Sequence, residues 1–147
     1  MANSTLTTPD SRPLRIALIG AGRHAQHHAR AILRCPGVQL VAVADPSDAA
    51  QAAMRDIVPG IGCFKTPEEL FASERLNVVH IITPPATHAP LARMAIKAGC
   101  HIYVEKPFTE SVEDAQQILD EASAKGLRAP FTESVEDAQQ ILDEASA

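Results

Sequence analysis

Short, mainly apolar runs alternate along this chain with longer stretches of helical periodicity. Ile16-Ala17-Leu18-Ile19, Val38 to Ala44, Val78 to Ile82 and His101 to Val104 read as strands buried on both faces of a parallel sheet. Between them, apolar residues at three- and four-residue intervals predict helices from Ala25 to about Arg34, Ala49 to about Ile57, Pro67 to about Ser73, His88 to Ala98, and one opened by Ser111. The punctuation agrees with this reading. Cys35-Pro36-Gly37, Pro59-Gly60 and Gly99 stop helices, and Pro46-Ser47-Asp48 is a turn able to cap one. Thr66-Pro67-Glu68-Glu69 places a capping hydroxyl, a proline at the first helical position and an acid three residues after the cap. Leu91, Met94, Ala95 and Ala98 form the expected apolar face of the fourth helix, and Val112, Ala115, Ile118, Leu119 and Ala122 that of the fifth. With Cys63-Phe64 as a short edge strand, the order β-α-β-α-(β)-α-β-α-β-α predicts an α/β, Rossmann-type doubly wound parallel sheet with helices on both faces.

Composition narrows the picture. The 147 residues suit one domain with a real core, and with 3% aromatics and no tryptophan that core must be Ala, Val, Ile and Leu. The formal net charge of −5 argues against nucleic acid as a main partner. The charge is uneven: residues 1–104 carry 10 Lys+Arg and 7 Asp+Glu, residues 105–147 carry 3 and 11. Cys35, Cys63 and Cys100 lie far apart, an odd number without CxxC spacing, which points to reduced thiols in a cytoplasmic protein. Residues 1–13 are polar, have no apolar signal-peptide core, and read as a flexible leader. No run approaches the length of a membrane span.

The tail holds an exact repeat. PFTESVEDAQQILDEASA at 107–124 recurs unchanged at 130–147, a period of 23 residues. The strand-end pair Glu105-Lys106 is not copied, since its counterpart is Arg128-Ala129. The domain is therefore expected over 14–129, with Leu127 to Ala129 as the remnant of a sixth strand and the second copy contributing only a helix. That duplicated helix, apolar along one stripe, would dock on the sheet edge, pair with another chain as a homodimer contact, or stay loosely attached.

The chemistry concentrates where strands end, which is where ligands sit in such sheets. Gly20, Gly22 and Ala25 fit G-x-G-x-x-G/A between a strand and a helix. The first glycine permits the turn and the second lets backbone approach a pyrophosphate. Ala25 is small enough for close helix–strand packing, and the helix N-terminus faces the phosphates. Arg23 can touch the pyrophosphate. Asp45 ends the next strand, where a carboxylate bonds the adenosine ribose hydroxyls and repels a 2′-phosphate; with no Arg or Lys in Pro46-Ser47-Asp48, NAD is expected over NADP. His24, His27 and His28 suggest a metal site, but the spacing shows no Cys or acid pair beside them and His27 and His28 diverge as neighbours, so no metal is expected. His80, inside a strand, reads as a satisfied core residue.

Three strand-end motifs together, IGAGRHA, TPPATH and EKP, resemble the N-terminal domain of the Gfo/Idh/MocA oxidoreductases over about residues 14–126. The resemblance implies a catalytic Lys106 near nicotinamide and substrate, stabilising or relaying the alcohol proton as hydride leaves. It implies that Glu105 holds the nicotinamide ribose and that Thr83 and Pro84 lie against the cofactor. It also points to a cis Lys106–Pro107 bond. His24 belongs to the cofactor-binding set, and His88 either approaches the ribose or nicotinamide or bonds backbone at its helix start. Family members carry a second, substrate-binding domain, and nothing after residue 126 resembles it. The chain therefore reads as the NAD-binding half of an oxidoreductase acting on a sugar, polyol or related alcohol, inactive alone. The alternative is a stand-alone or engineered dinucleotide-binding or structural module without catalysis.

Overall fold

The computed structural model describes residues 12–129 and the backbone of 131–132. The elements in chain order are β1 (Leu14–Ile19), α1 (Arg23–Leu33), β2 (Val38–Ala44), α2 (Asp48–Ile57), β3 (Gly62–Phe64), α3 (Pro67–Ser73), β4 (Val78–Ile81), a 3₁₀ turn (Pro85–Thr87), α4 (His88–Lys97), β5 (His101–Glu105), α5 (Val112–Ala124) and β6 (Phe131–Thr132). All strands pair in parallel, in the order β3-β2-β1-β4-β5-β6. This is the doubly wound Rossmann arrangement, with the strand order reversing between β1 and β4.

Each strand turns alternate residues to opposite faces. Ile16, Leu18, Leu40, Val43 and Val78 pack with Ala25, Ala29 and Ile32 of α1 and Met54 of α2. Ala17, Ile19, Ala42, Val79, Ile81, Ile102 and Val104 pack with Leu70 of α3, Ala92, Ala95 and Ile96 of α4, and Ile118 and Ala122 of α5. Leu40 and Val43 share a face although three apart. The β1–β2 register shifts between Ile16 and Ala17, and this irregularity adds one residue to β2.

Local signals set the helix starts. Ser47, Thr66 and Ser111 each accept from the backbone N–H three residues on. The faces expected of the last two helices need correction. On α4 the buried apolar set is Ala92, Ala95 and Ile96, while Ala98 is exposed and Leu91 and Met94 are half-buried. On α5, Val112 is 81% exposed, while Ile118 and Ala122 are buried in the core and Ala115 and Leu119 pack half-buried against it, so of the expected face only Val112 falls outside.

The sixth strand is displaced from its expected place. Leu127 to Ala129 are irregular, and β6 forms from Phe131 and Thr132 of the second copy, paired with Val104 and Glu105. The same two letters in the first copy, Phe108-Thr109, lie in the loop after β5. An open edge of β5 makes a strand of one pair, and a turn consumes the other. The expected leader, and the expected helix and dimer contact of the second copy, lie outside the described residues.

Candidate functional site

A groove of about 730 Å³ opens at the carboxyl ends of β1, β2 and β4, lined among others by Gly20, Gly22, Asp45, Lys65, Thr83, Pro84 and Met94. Its floor is the turn between β1 and α1. Gly20 has φ +106°, and a Cβ there would lie 2.1 Å from the Ile82 carbonyl oxygen, so only glycine fits. Gly22 is different: a Cβ on it would meet no protein atom within 4 Å. The space in front of Gly22 faces the start of α1, where no side chain caps the helix. Uncapped N–H groups and the positive end of the helix dipole suit an anion there. Ala25 is buried against the sheet, as its small size requires, and Arg23 is exposed at the first position of α1.

Asp45 forms the far wall. Its Oδ2 accepts from Ala21 N and its Oδ1 from Ser47 N, both at 2.8 Å. Gln51 donates to the Asp45 and Phe64 carbonyls at 2.8 and 3.0 Å, tying the end of β2 to that of β3. Two backbone donors fix the carboxylate and leave acceptor capacity on both oxygens. The sequence neighbours of Asp45 offer no cation, but the fold does. Lys65, from the loop after β3, lines the groove, bonds Pro46 O at 3.1 Å and pairs with Asp48. Asp48 is held below its ordinary value, mainly by the hydrogen bond from Lys65. Only the β2–β3 pairing could have revealed this lysine.

At the other end, β5 delivers Glu105 to α1. Glu105 Oε1 lies 3.0 Å from His24 Nε2 and 3.2 Å from His28 Nε2. An acid therefore does stand beside these histidines, brought by a strand 77 residues away in sequence. Beneath them His28 Nδ1 faces His80 Nδ1 at 3.1 Å, and Tyr103 packs on both rings. Burial lowers the pKa of His28 against the opposing pull of Glu105. Burial first, and the neighbouring His28 second, push His80 down to about 3. With both rings neutral, one proton sits between the two Nδ1 atoms. The tautomers that pair every N–H have His80 Nδ1 donating to His28 and His28 Nε2 donating to Glu105. His80 Nε2 is then an acceptor with no partner among the described residues, so His80 is not the satisfied core residue expected.

His88 does not line the groove. It is 1% exposed, and its Nδ1 and Nε2 lie 2.7 Å from the carbonyls of Pro107 and Thr83. Of the two roles expected for it, the backbone-bonded one matches, because the first turn of α4 points this ring between two strand-end loops. Thr83 and Pro84 do line the groove, with the Thr83 hydroxyl 2.6 Å from that of Thr87. Lys106 is exposed on the loop after β5, and the Lys106–Pro107 bond is cis. The structure thus gathers Gly20, Gly22, Asp45, Thr83 and Pro84 around one groove. It sets His24 and Glu105 beside the same helix start, and puts His88 below it.

The fold, the glycine turn and the strand-end carboxylate define a dinucleotide-binding Rossmann domain. The family model GFO_IDH_MocA, "Oxidoreductase family, NAD-binding Rossmann fold", matches residues 14–129, and the chain belongs to this family. It is 37% identical over 117 residues to inositol 2-dehydrogenase of Agrobacterium fabrum (strain C58 / ATCC 33970), covering 78% of this chain and 35% of that protein. GenD2 from gentamicin A biosynthesis, solved in complex with NAD, superposes with a TM-score of 0.77 at 28% identity, covering 85% of this chain and 37% of that one. The WlbA dehydrogenase from Bordetella pertussis, in complex with NADH and UDP-GlcNAcA, gives 0.76 at 25% identity, covering 82% and 37%. The chain thus spans about a third of the length of its relatives. Among the described residues, no helix is long and apolar enough to cross a membrane.

Proposed function

We propose that this domain binds NAD in the groove and serves as the cofactor half of an oxidoreductase that moves hydride to or from a sugar, polyol or related alcohol. The observation that carries the reading is the pairing of an uncapped helix start at Gly22 with the fixed carboxylate of Asp45 across one groove. In this reading the N–H groups opening α1, with Arg23, hold the pyrophosphate. Asp45 accepts from the adenosine ribose hydroxyls. Thr83 and Pro84 support the nicotinamide half. Glu105, whose Oε1 is taken by two imidazoles, offers Oε2 to the second ribose, with His24 beside it.

The bound nicotinamide supplies the hydride chemistry. Lys106, exposed beside it and without an ion-pair partner among the described residues, holds or relays the alcohol proton at Nζ. NAD is preferred over NADP because the Asp45 carboxylate opposes a 2′-phosphate and the nearby Lys65 ammonium is engaged by Asp48 and Pro46 O. The widely spaced cysteines, none in a disulfide and with Cys100 pushed up to about 11 by burial, suit a reducing cytoplasm.

Titration with NADH, followed by nicotinamide fluorescence, tests the reading. Saturable enhancement at one equivalent is expected. An unchanged emission at any chain concentration, from protein whose circular dichroism is folded, overturns it.

A further inference from the structure

The cluster formed by His24, His28 and Glu105 has the make-up of a metal site. His24 and His28 are four apart on α1, so both rings leave the same face of the helix. β5 places a carboxylate under them, and the three ligand atoms all lie within 4.8 Å of one another. Donors each about 2.0–2.1 Å from a zinc ion stand about 3.0–3.4 Å apart. The separations from Glu105 Oε1, 3.0 and 3.2 Å, already fall in that range.

Rigidity and access are divided between the ligands. The side chains of His28 and Glu105 are 1% and 12% exposed, and that of His24 is 57% exposed. Two ligands are therefore held by the core, and the third is free to turn onto an ion from the solvent side. The buried partner also fits. A His28 that coordinates through Nε2 must carry its proton on Nδ1, and His80 Nδ1 stands 3.1 Å away to accept it. The two rings shift tautomer together and keep the same number of protons. The His80 proton moves to Nε2, which has no partner among the described residues, so the ion must outweigh one unpaired buried N–H.

We propose that His24, His28 and Glu105 bind a first-row transition-metal dication, of the zinc, cobalt or nickel class, in the cofactor-free domain. Two imidazoles and one carboxylate with an open solvent face suit these ions and not magnesium or calcium, which take oxygen ligands. The sequence hid the site because its acid comes from another strand. His24 and Glu105 are also assigned to the dinucleotide, so on that reading ion and dinucleotide exclude one another.

The test is titration of the full, tag-free chain with Co²⁺, read by its visible d–d absorption and then by displacement with Zn²⁺. One equivalent of Co²⁺ with nitrogen and oxygen ligation is expected. His24→Asn, an exposed change that leaves the core intact, should weaken binding about tenfold or more, whereas His27→Asn should leave it unchanged. No uptake, sulfur-to-cobalt charge-transfer bands, or equal binding by the His24→Asn chain would each overturn the proposal. NADH titration of the same samples separates the two readings: Co²⁺ uptake without NADH binding removes the cofactor assignment and leaves the metal site.

Discussion

At the β1–β2 end of the candidate site the ligand-facing surface is backbone, held in place by one carboxylate. At the β5 end it is a stack of imidazoles under another carboxylate. The first end works by leaving space: Gly20 has no room for a Cβ, and Gly22 has nothing in front of it. The second works by filling space, with His28 and His80 buried and neutral and Glu105 fixed above them. The steric constraint carries a local signal in the glycines themselves, although the Ile82 carbonyl enforces it at Gly20, and it is indifferent to pH. The buried histidine pair and the carboxylate above it are distributed over three elements, α1, β4 and β5, and the pair answers to protons. The two ends should therefore fail under different challenges.

The largest effect is expected at the steric end. Gly20→Ala places a methyl group 2.1 Å from the Ile82 carbonyl at a positive φ. Strain and overpacking together should cost about 3 kcal/mol or more, read by urea unfolding at neutral pH. Stability within about 1 kcal/mol of wild type would show that the turn is more pliable than the packing implies.

Acid should strike the other end. His80, with an unfolded value of 6.5 and a folded value of about 3, binds its proton more tightly when unfolded. The unfolded state therefore takes up more protons between those values, and stability is lost as pH falls below about 6.5. Between pH 7 and pH 5 the loss from this one group should be about 2 kcal/mol. His28, lowered in the same direction, adds to it. Urea unfolding of wild type and His80→Leu across this range checks the sign: the variant should show a flatter profile, and an identical slope would remove His80 as the cause.

The smallest effect separates scaffold from ligand surface within the steric end. Ser47→Ala removes the hydroxyl that accepts from Ala50 N and should cost about 1 kcal/mol of stability. The bond that orients Asp45 comes from the Ser47 backbone N–H and survives the change. Cofactor preference should therefore stay as it was, measured by competition between NAD and NADP. A shifted preference would mean that the cap also positions the carboxylate.

These differences explain what could be read from the chain alone. Gly20, Gly22, Ala25 and Asp45 are separated by one strand–helix–strand unit, and turn, helix and strand end each carry their own local signal. The order of elements and the caps at Ser47, Thr66 and Ser111 were legible for the same reason. The contacts of Glu105 with His24 and His28, and of Lys65 with Asp48, depend on which strands pair, so no local pattern announces them. Val112 and Ala98 were misplaced because periodicity gives a helix face but not where the sheet stops covering it. Phe108-Thr109 and Phe131-Thr132 show the limit most plainly: identical letters become a loop or a strand according to whether the edge of β5 is free to pair.

The measurement that bears most directly on the cofactor reading is calorimetric titration of the chain and of Asp45→Ala with NAD and with NADP. The account predicts that wild type binds NAD more tightly than NADP. In the variant, NAD should weaken about tenfold or more, as charge-assisted hydrogen bonds are lost. NADP should gain relative to it, because Lys65 remains in the groove. Equal affinities in wild type, or a preference unmoved by Asp45→Ala, would contradict the claim that this carboxylate reads the adenosine ribose.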